Sequence, residues 1–286
     1  MQLNQVQLRL SNAGVFKHLP HQNDPEKMKY RIQYIPVILV MLLLGSCMPP
    51  QEEKPVPTPV KLNYIILLDL SDRLIVQDNQ PERDKELIKH IYNIFEDRVR
   101  SQLYLRSRDE IRVVIAHQRG AGLQSEVYED SLYTNMDNIP GVLRRKTEEK
   151  RRTTFYNNLD KLYDQAVFSN NPKDFYGADI WRYFYEDLKV DYVSDTLTQN
   201  YLIMFTDGYP IVGRDLTKLQ SVNEKYPDLK VILIEAAPRD KDMEWDRVME
   251  LWEEWFDSMN IKDYQFIKRG ALSKEKDMLT EILEGS

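Results

Sequence analysis

The stretch "NYIILLDLSDRL", Asn63–Leu74, decides the fold. An apolar run stops abruptly at Asp69, and Ser71, Asp72 and Arg73 follow at once. A run that is apolar throughout reads as a strand covered on both faces, the condition of a parallel sheet. A carboxylate at the end of such a strand stands where open α/β sheets place their ligands. A later stretch repeats the pattern. "YLIMFTDG", Tyr201–Gly208, ends in Asp207, and Gly208 permits a sharp turn. If the two strands are neighbours, Asp69 and Asp207 face each other across a crevice. Close carboxylates repel unless a proton, a cation or an arginine lies between them.

Working outward, Tyr64–Asp69, Ile111–His117, Tyr201–Asp207, Lys230–Ala236 and Asp263–Lys268 read as strands, with Ser125–Tyr133 as a weakly alternating edge strand. Between them lie helical patterns over Pro81–Arg98, Thr154–Phe168, Asp179–Leu188, Asp215–Lys225, Met243–Met259 and Ser273–Leu283. In the first, Leu87, Ile88, Ile91, Ile94 and Phe95 recur at helical spacing, and Pro81 suits a first turn. Strands alternating with helices specify an α/β fold: a doubly wound, mostly parallel six-stranded sheet flanked by helices.

The remainder of the 286-residue chain bears on location. Lys29 and Arg31 precede the apolar run "IPVILVMLLL", Ile35–Leu44, and Gly45-Ser46-Cys47 follows it. That is a basic region, an apolar core and a small-residue cleavage site. The apolar core holds about ten residues, against the roughly 20 of a membrane-spanning helix. Cys47 is the only cysteine, which excludes an intramolecular disulfide and a cysteine-built metal site.

"LLGSC" resembles the lipobox of bacterial lipoproteins. The resemblance implies cleavage before Cys47, a lipid on Cys47 and anchoring in the cell envelope. Residues 1–27 are polar and aperiodic, so they are expected to be a mis-assigned extension ahead of a start at Met28. Residues 28–46 are then the signal peptide. Residues 47–60 form the lipidated cysteine and the tether "MPPQEEKPVPTP", whose prolines favour an extended spacer. Residues 61–286 form the domain.

"DLSDR" after one strand and "FTDG" after a later one resemble the von Willebrand factor type A domain. The resemblance covers Lys61–Ser286 in element order. That family carries a metal-ion-dependent adhesion site: an Asp-x-Ser-x-Ser motif, a Thr from a middle loop, and an Asp usually followed by Gly. Carried over, Asp69 and Ser71 match the first elements and Asp207 the last. The middle threonine falls at Thr153 or Thr154, and Thr153 is preferred because Thr154 could cap a helix. The implied ligand is Mg²⁺ or another divalent cation, which takes six oxygens and keeps waters. An acidic residue of a partner protein completes the shell in the family, so the implied activity is protein binding.

The chain departs from the motif at Arg73, which stands where the second serine is expected. A guanidinium stays charged and cannot ligate a cation. A single charge about 5 Å from a divalent ion costs roughly 6–7 kcal/mol at an effective dielectric of about 20. Either Arg73 folds in, pairs with Asp69 or Asp207 and replaces the metal, or it points outward while Asp72 or water fills the ligand place. A third reading has Asp69 and Ser71 merely shaping a strand-to-helix turn.

Other chemistries find little support. A haloacid-dehalogenase phosphatase needs a second Asp where Ser71 stands, and neither a Gly-x-Ser-x-Gly elbow nor a Walker loop occurs. His90 and His117 have no paired ligand in the sequence, so an enzyme is not expected; an envelope phosphate-ester hydrolase is the contrasting reading. A net charge of −7 argues against a nucleic-acid partner. "RRKTEEKRR", Arg144–Arg152, reads as a solvated loop or as a recognition loop at the site rim. Trp245, Trp252, Trp255 and Phe256 form one helical stripe that reads as core-covering, with a protein interface as its alternative. The aromatic stretch Asp174–Leu188 is expected to help shape the binding surface. The expectation is an envelope lipoprotein whose domain binds an unidentified envelope protein, with a metal-free scaffold binding through its aromatic helices as the rival.

Overall fold

The computed structural model describes residues 60–118, 125–169, 177–208, 222–237 and 245–285. The chain divides into two units, Met1–Val56 and Pro57–Ser286, and the described residues belong to the second. The expected signal peptide and Cys47 lie outside the described residues, as do the tether and most of the helix expected over Asp215–Lys225.

Strand β1, Lys61–Leu68, is buried along its whole length. Its side chains alternate between two cores, as the pleat requires. Tyr64, Ile66 and Leu68 enter one; Ile65 and Leu67 enter the other. A short helix α1, Arg73–Val76, leads into α2, Gln80–Ser101. Then come β2, Glu110–Ile115, and β3, His117–Gln118. Helix α3, Ser125–Glu129, and a 3₁₀ turn precede β4, Tyr133–Asn135. Helix α4 is Arg144–Ser169, followed by β5, Ala178–Asp179, α5, Ile180–Glu186, and α6, Leu188–Asp191. The chain closes with β6, Thr198–Phe205, β7, Leu229–Ala236, α7, Trp245–Ser258, β8, Asp263–Lys268, and α8, Leu272–Glu284.

The main sheet has six strands in the order β4-β2-β1-β6-β7-β8. All pairings are parallel except β2 with the edge strand β4. From β1 the chain proceeds to one side, and from β6 to the other. The β1–β6 boundary is therefore the switch point, where a crevice opens at the strands' carboxyl ends. Leu68 pairs with Phe205, which sets Asp69 beside Thr206.

Helices α2, α4 and α8 cover one face, through residues such as Leu87, Ile91, Phe155, Leu159 and Leu279. Helices α5 and α7 cover the other with a tryptophan cluster. Trp181 stacks on Trp252 at 4.4 Å between ring centres, and Phe184 and Trp255 close around them. The aromatic stripes of both helices are thus spent on the core. Among the described residues of these helices Trp181, Phe184, Trp252, Trp255 and Phe256 are buried, while Tyr185 and Trp245 are half-buried.

Three expectations change. Ser125–Tyr133 is not a strand; it is a helix and a 3₁₀ turn, and the edge strand starts only at Tyr133. A separate two-stranded ladder joins β3 to β5. Arg144–Arg152 is not a loop: α4 begins at Arg144. The run is heavily charged, and two of its arginines bind main-chain carbonyls elsewhere in the fold. The Arg144 guanidinium donates to the carbonyls of Tyr104, Leu105, Ser107 and Ile139. Arg151 donates to the Tyr133 carbonyl, and Glu148 is fully buried.

Trp252 carries the second core, and its Nε1 donates to the Gly208 carbonyl at 2.8 Å. Trp252→Ala is expected to destabilise the domain by about 3–5 kcal/mol, read from the urea-unfolding midpoint. A loss below about 1 kcal/mol would show that the cluster closes over the gap.

Candidate functional site

At the end of β1 the Asp69 carboxylate is held on both oxygens. Oδ1 accepts the Ser71 backbone N–H at 3.0 Å, which tightens the turn. Oδ2 accepts the Thr206 hydroxyl at 2.9 Å across the β1–β6 boundary. The same hydroxyl oxygen accepts the Gly208 N–H at 3.2 Å. Gly208 has φ +89°, and a Cβ there would come within 3.0 Å of the Trp245 ring, so only glycine fits. Asp69, Ser71 and Asp207 are all buried at this end of the sheet.

Arg73 folds inward and is fully buried. Its Nε donates to the Asp69 carbonyl at 2.7 Å and lies 3.9 Å from Asp69 Oδ2. Its Nη2 donates to Asp84 Oδ2 at 2.5 Å, and Nη1 to Oδ1 at 3.4 Å. Asp84, equally buried, also accepts from Gln80 Nε2 at 2.8 Å and from the Tyr163 hydroxyl at 3.0 Å. Burial by itself pulls the guanidinium pKa down, but Asp84 and then Asp69 more than offset this and hold it raised. Burial pushes the Asp84 carboxyl up, against the pull of Arg73 and Gln80.

A second group of charges continues from the first. Gln80 Nε2 donates to Glu235 Oε2 at 2.7 Å. Arg83 Nη2 donates to Glu235 at 2.6 Å and to Glu275 at 2.7 Å. Arg269 donates to Gln80 Oε1 at 3.0 Å. Glu235 has φ +69°, an unfavourable backbone for a residue with a Cβ, at the bulge between β7 and β8. Its arginine partners hold the carboxylate in that geometry. The Glu275 carboxyl is pushed up to about 7, first by burial and then by its hydrogen bond to, and repulsion from, Glu235.

The structure brings Asp69, Ser71, Arg73 and Asp207 to one end of the sheet, and it leaves Thr153 elsewhere. Helix α4 starts at the amino end of the strands and reaches Asp84 only at Tyr163. Thr153 lies about ten residues earlier, roughly 15 Å along the axis. It is exposed, and its hydroxyl donates to the Glu149 carbonyl at 3.2 Å. Thr154 is exposed and equally deep inside the helix, so it caps nothing. The hydroxyl that meets Asp69 belongs to Thr206. Of the two histidines among the described residues, His90 ties α2 to the Lys276 carbonyl and the Thr280 hydroxyl on α8, and His117 is exposed in β3.

A cation on Asp69 Oδ2 would sit close to a permanently charged, fully buried guanidinium, and both carboxylate oxygens already accept protein donors. Among the described residues no group of three or more His, Cys, Asp or Glu side chains is arranged to hold a metal. Asp84 was legible in principle. It precedes Leu87, Ile88 and Ile91 on the apolar stripe of α2, and a carboxylate there needs a buried donor.

No protein-family model and no curated protein matches this chain. Among solved structures it is similar to the pilus adhesin SpaC from Lactobacillus rhamnosus GG, at 11% identity and TM-score 0.42, over 81% of this chain and 31% of the adhesin. It is similar to an aerotolerance-related membrane protein from Bacteroides fragilis NCTC 9343, at 12% identity and TM-score 0.35, over 79% of this chain and 100% of that one. Proximal thread matrix protein 1 from the mussel byssus matches at 12% identity and TM-score 0.35, over 79% of this chain and 48% of its own. This chain spans less than two thirds of the adhesin.

Two outcomes follow from the buried charges. Arg73→Met strands the Asp84 carboxylate and is expected to cost about 3–5 kcal/mol, whereas Arg73→Met with Asp84→Leu recovers most of it; urea unfolding of the three proteins checks this. Glu275 holds a proton in the folded state that the unfolded chain releases near 4.5, the ordinary glutamate value. The folded state therefore binds more protons between 4.5 and about 7. The stability from this group is complete below that window and is lost as pH rises through it. Glu148, also raised to about 7 by burial and then by Glu96, acts in the same direction. Glu275→Gln should flatten the decline in unfolding midpoint between about pH 5 and about pH 7.5; an unchanged slope would refute the assignment.

Proposed function

We propose that this protein is an envelope-anchored binding module of the von Willebrand factor type A kind that engages a protein partner without a metal ion. The observation that carries the reading is the inward Arg73. It fills the place beside Asp69 where the resemblance puts a cation, and it locks the motif turn to α2 through Asp84. The same turn buries Arg73 and Leu74 and leaves Ile75 and Val76 exposed, Val76 by 70%. Two branched apolar side chains on a rigid rim suit a protein interface, because little entropy is lost on ordering them. The lipid on Cys47 would supply the anchor, and the motif sequence supports the family reading. Binding is then set by apolar contact around Ile75 and Val76, with Asp69 and Asp207 as buried framework.

A photo-crosslinking residue placed at Ile75 of the full chain in an envelope preparation should yield one discrete protein adduct. The adduct should persist in chelator and fall at least about tenfold in a Val76→Asp background, a loss of about 1.4 kcal/mol in binding. Disappearance of the adduct in chelator would restore the metal-dependent reading. Indifference to Val76→Asp would move the interface elsewhere.

A further inference from the structure

The amino end of the sheet, opposite the Arg73 site, carries a different surface. Helix α2 ends there, and Leu103 and Tyr104 follow with φ +53° and +60°. This turn thrusts Leu103 and Leu105 outward, 71% and 64% exposed. The 3₁₀ turn Gly141–Leu143 lies against it: a Cβ on Gly141 would meet Leu105 Cδ2 at 3.3 Å. Val142 is 94% exposed, and Leu143 is exposed beside it. The Arg144 guanidinium fixes the patch by binding the carbonyls of Tyr104, Leu105 and Ser107 at once. These side chains are therefore held outward on a braced backbone, exposed among the described residues.

Two further features share this end. Val60, where the described chain begins, is held by Arg98 Nη2 on its carbonyl at 2.8 Å, and Arg98 lies in the last turn of α2. The chain preceding Val60 is the proline-rich segment that leads back to Cys47. At the about 3.1 Å per residue of a polyproline helix, such a segment would span about 40 Å. The second feature is charge. Arg106, Arg108, Arg145 and Lys146 are exposed around the patch. Arg108 pairs with Asp137 and Arg145 with Glu149, which leaves a basic excess.

We propose that this end is a membrane-docking face. Leu103, Leu105, Val142 and Leu143 insert at the interface of an anionic phospholipid layer, while the surrounding basic side chains meet the headgroups. The proposal rests on the anchored reading given above, because the anchor keeps the face within reach of the lipid. A braced apolar tip with a basic collar is the chemistry of interfacial binding. The short tether raises the effective concentration of the surface, so weak contacts suffice. One consequence is orientation: with this end on the lipid, the Arg73 end and Val76 point away from it.

The test uses the full chain with Cys47 intact. A genetically encoded fluorescent residue is placed at Val142 or, separately, at Val76. Each protein is reconstituted with phosphatidylethanolamine–phosphatidylglycerol vesicles carrying a spin-labelled lipid. Lipid quenching at Val142 should exceed that at Val76 by at least about threefold. It should fall in Leu103→Ser/Leu105→Ser and when phosphatidylcholine replaces the anionic lipid, with unfolding midpoints unchanged. Failure to float with vesicles would overturn both the anchor and the docking face. Flotation with equal quenching at the two positions would overturn the docking face alone. A concentration-dependent dimer lost in Val142→Ser would assign the patch to a second copy of the chain and equally overturn the proposal.

Discussion

The ion pair between Arg73 and Asp84, buried without solvent contact, is the constraint on which the rest of this end of the molecule depends. Such a pair is not a source of stability by its mere presence, because both charges must leave water. Its effect is conditional: each partner makes the other obligatory. With Asp84 rooted in α2, Arg73 must turn inward, and the turn from Asp69 to Leu74 closes around it. The Arg73 Nε then caps the Asp69 carbonyl, the first main-chain acceptor beyond β1. Tyr163 arrives from α4 to share Asp84, and Gln80 passes the connection on to Glu235. One guanidinium thereby couples β1, α2, α4 and the end of β7.

This coupling explains why a motif that resembles a cation site takes another form here. In a cation site the carboxylate charge is balanced by an ion that comes and goes with its ligands. Here Asp69 is balanced by Thr206, the Ser71 amide and a permanent cation tied to the fold. Ile75 and Val76 lie exposed beside this turn. At the opposite end Leu103, Leu105, Val142 and Leu143 are exposed, with Arg106, Arg108, Arg145 and Lys146 exposed near them. The domain is thus polarised along its strands, with two apolar surfaces of different charge.

Much of this was legible locally. Apolar runs announced β1, β6 and β7 because strands covered on both faces tolerate almost no polar residue in between. The same runs marked Asp69 and Asp207 as strand-end residues, since the first charge after such a run sits at the sheet's rim. Helix α4 was harder. Arg144–Arg152 reads as solvated because charge normally means water, and only contact with the three distant carbonyls of Tyr104, Leu105 and Ser107 shows why a helix starts there. Thr153 was chosen for its place in the order of elements, and order says nothing about which end of a 26-residue helix meets the site.

The sequence by itself therefore determined the layered α/β architecture, the carboxylates at the strand ends, and the arginine that breaks the motif. These follow from near-neighbour patterns of polarity along the chain. Only the tertiary structure decided what Arg73 does. A long, flexible guanidinium goes where its countercharge is, and that countercharge is assembled from Asp84 on α2 and Asp69 on β1, supported by Tyr163 from α4. Burial makes such a partnership all-or-none, and the stretch that holds Asp69 and Arg73 contains neither Asp84 nor Tyr163.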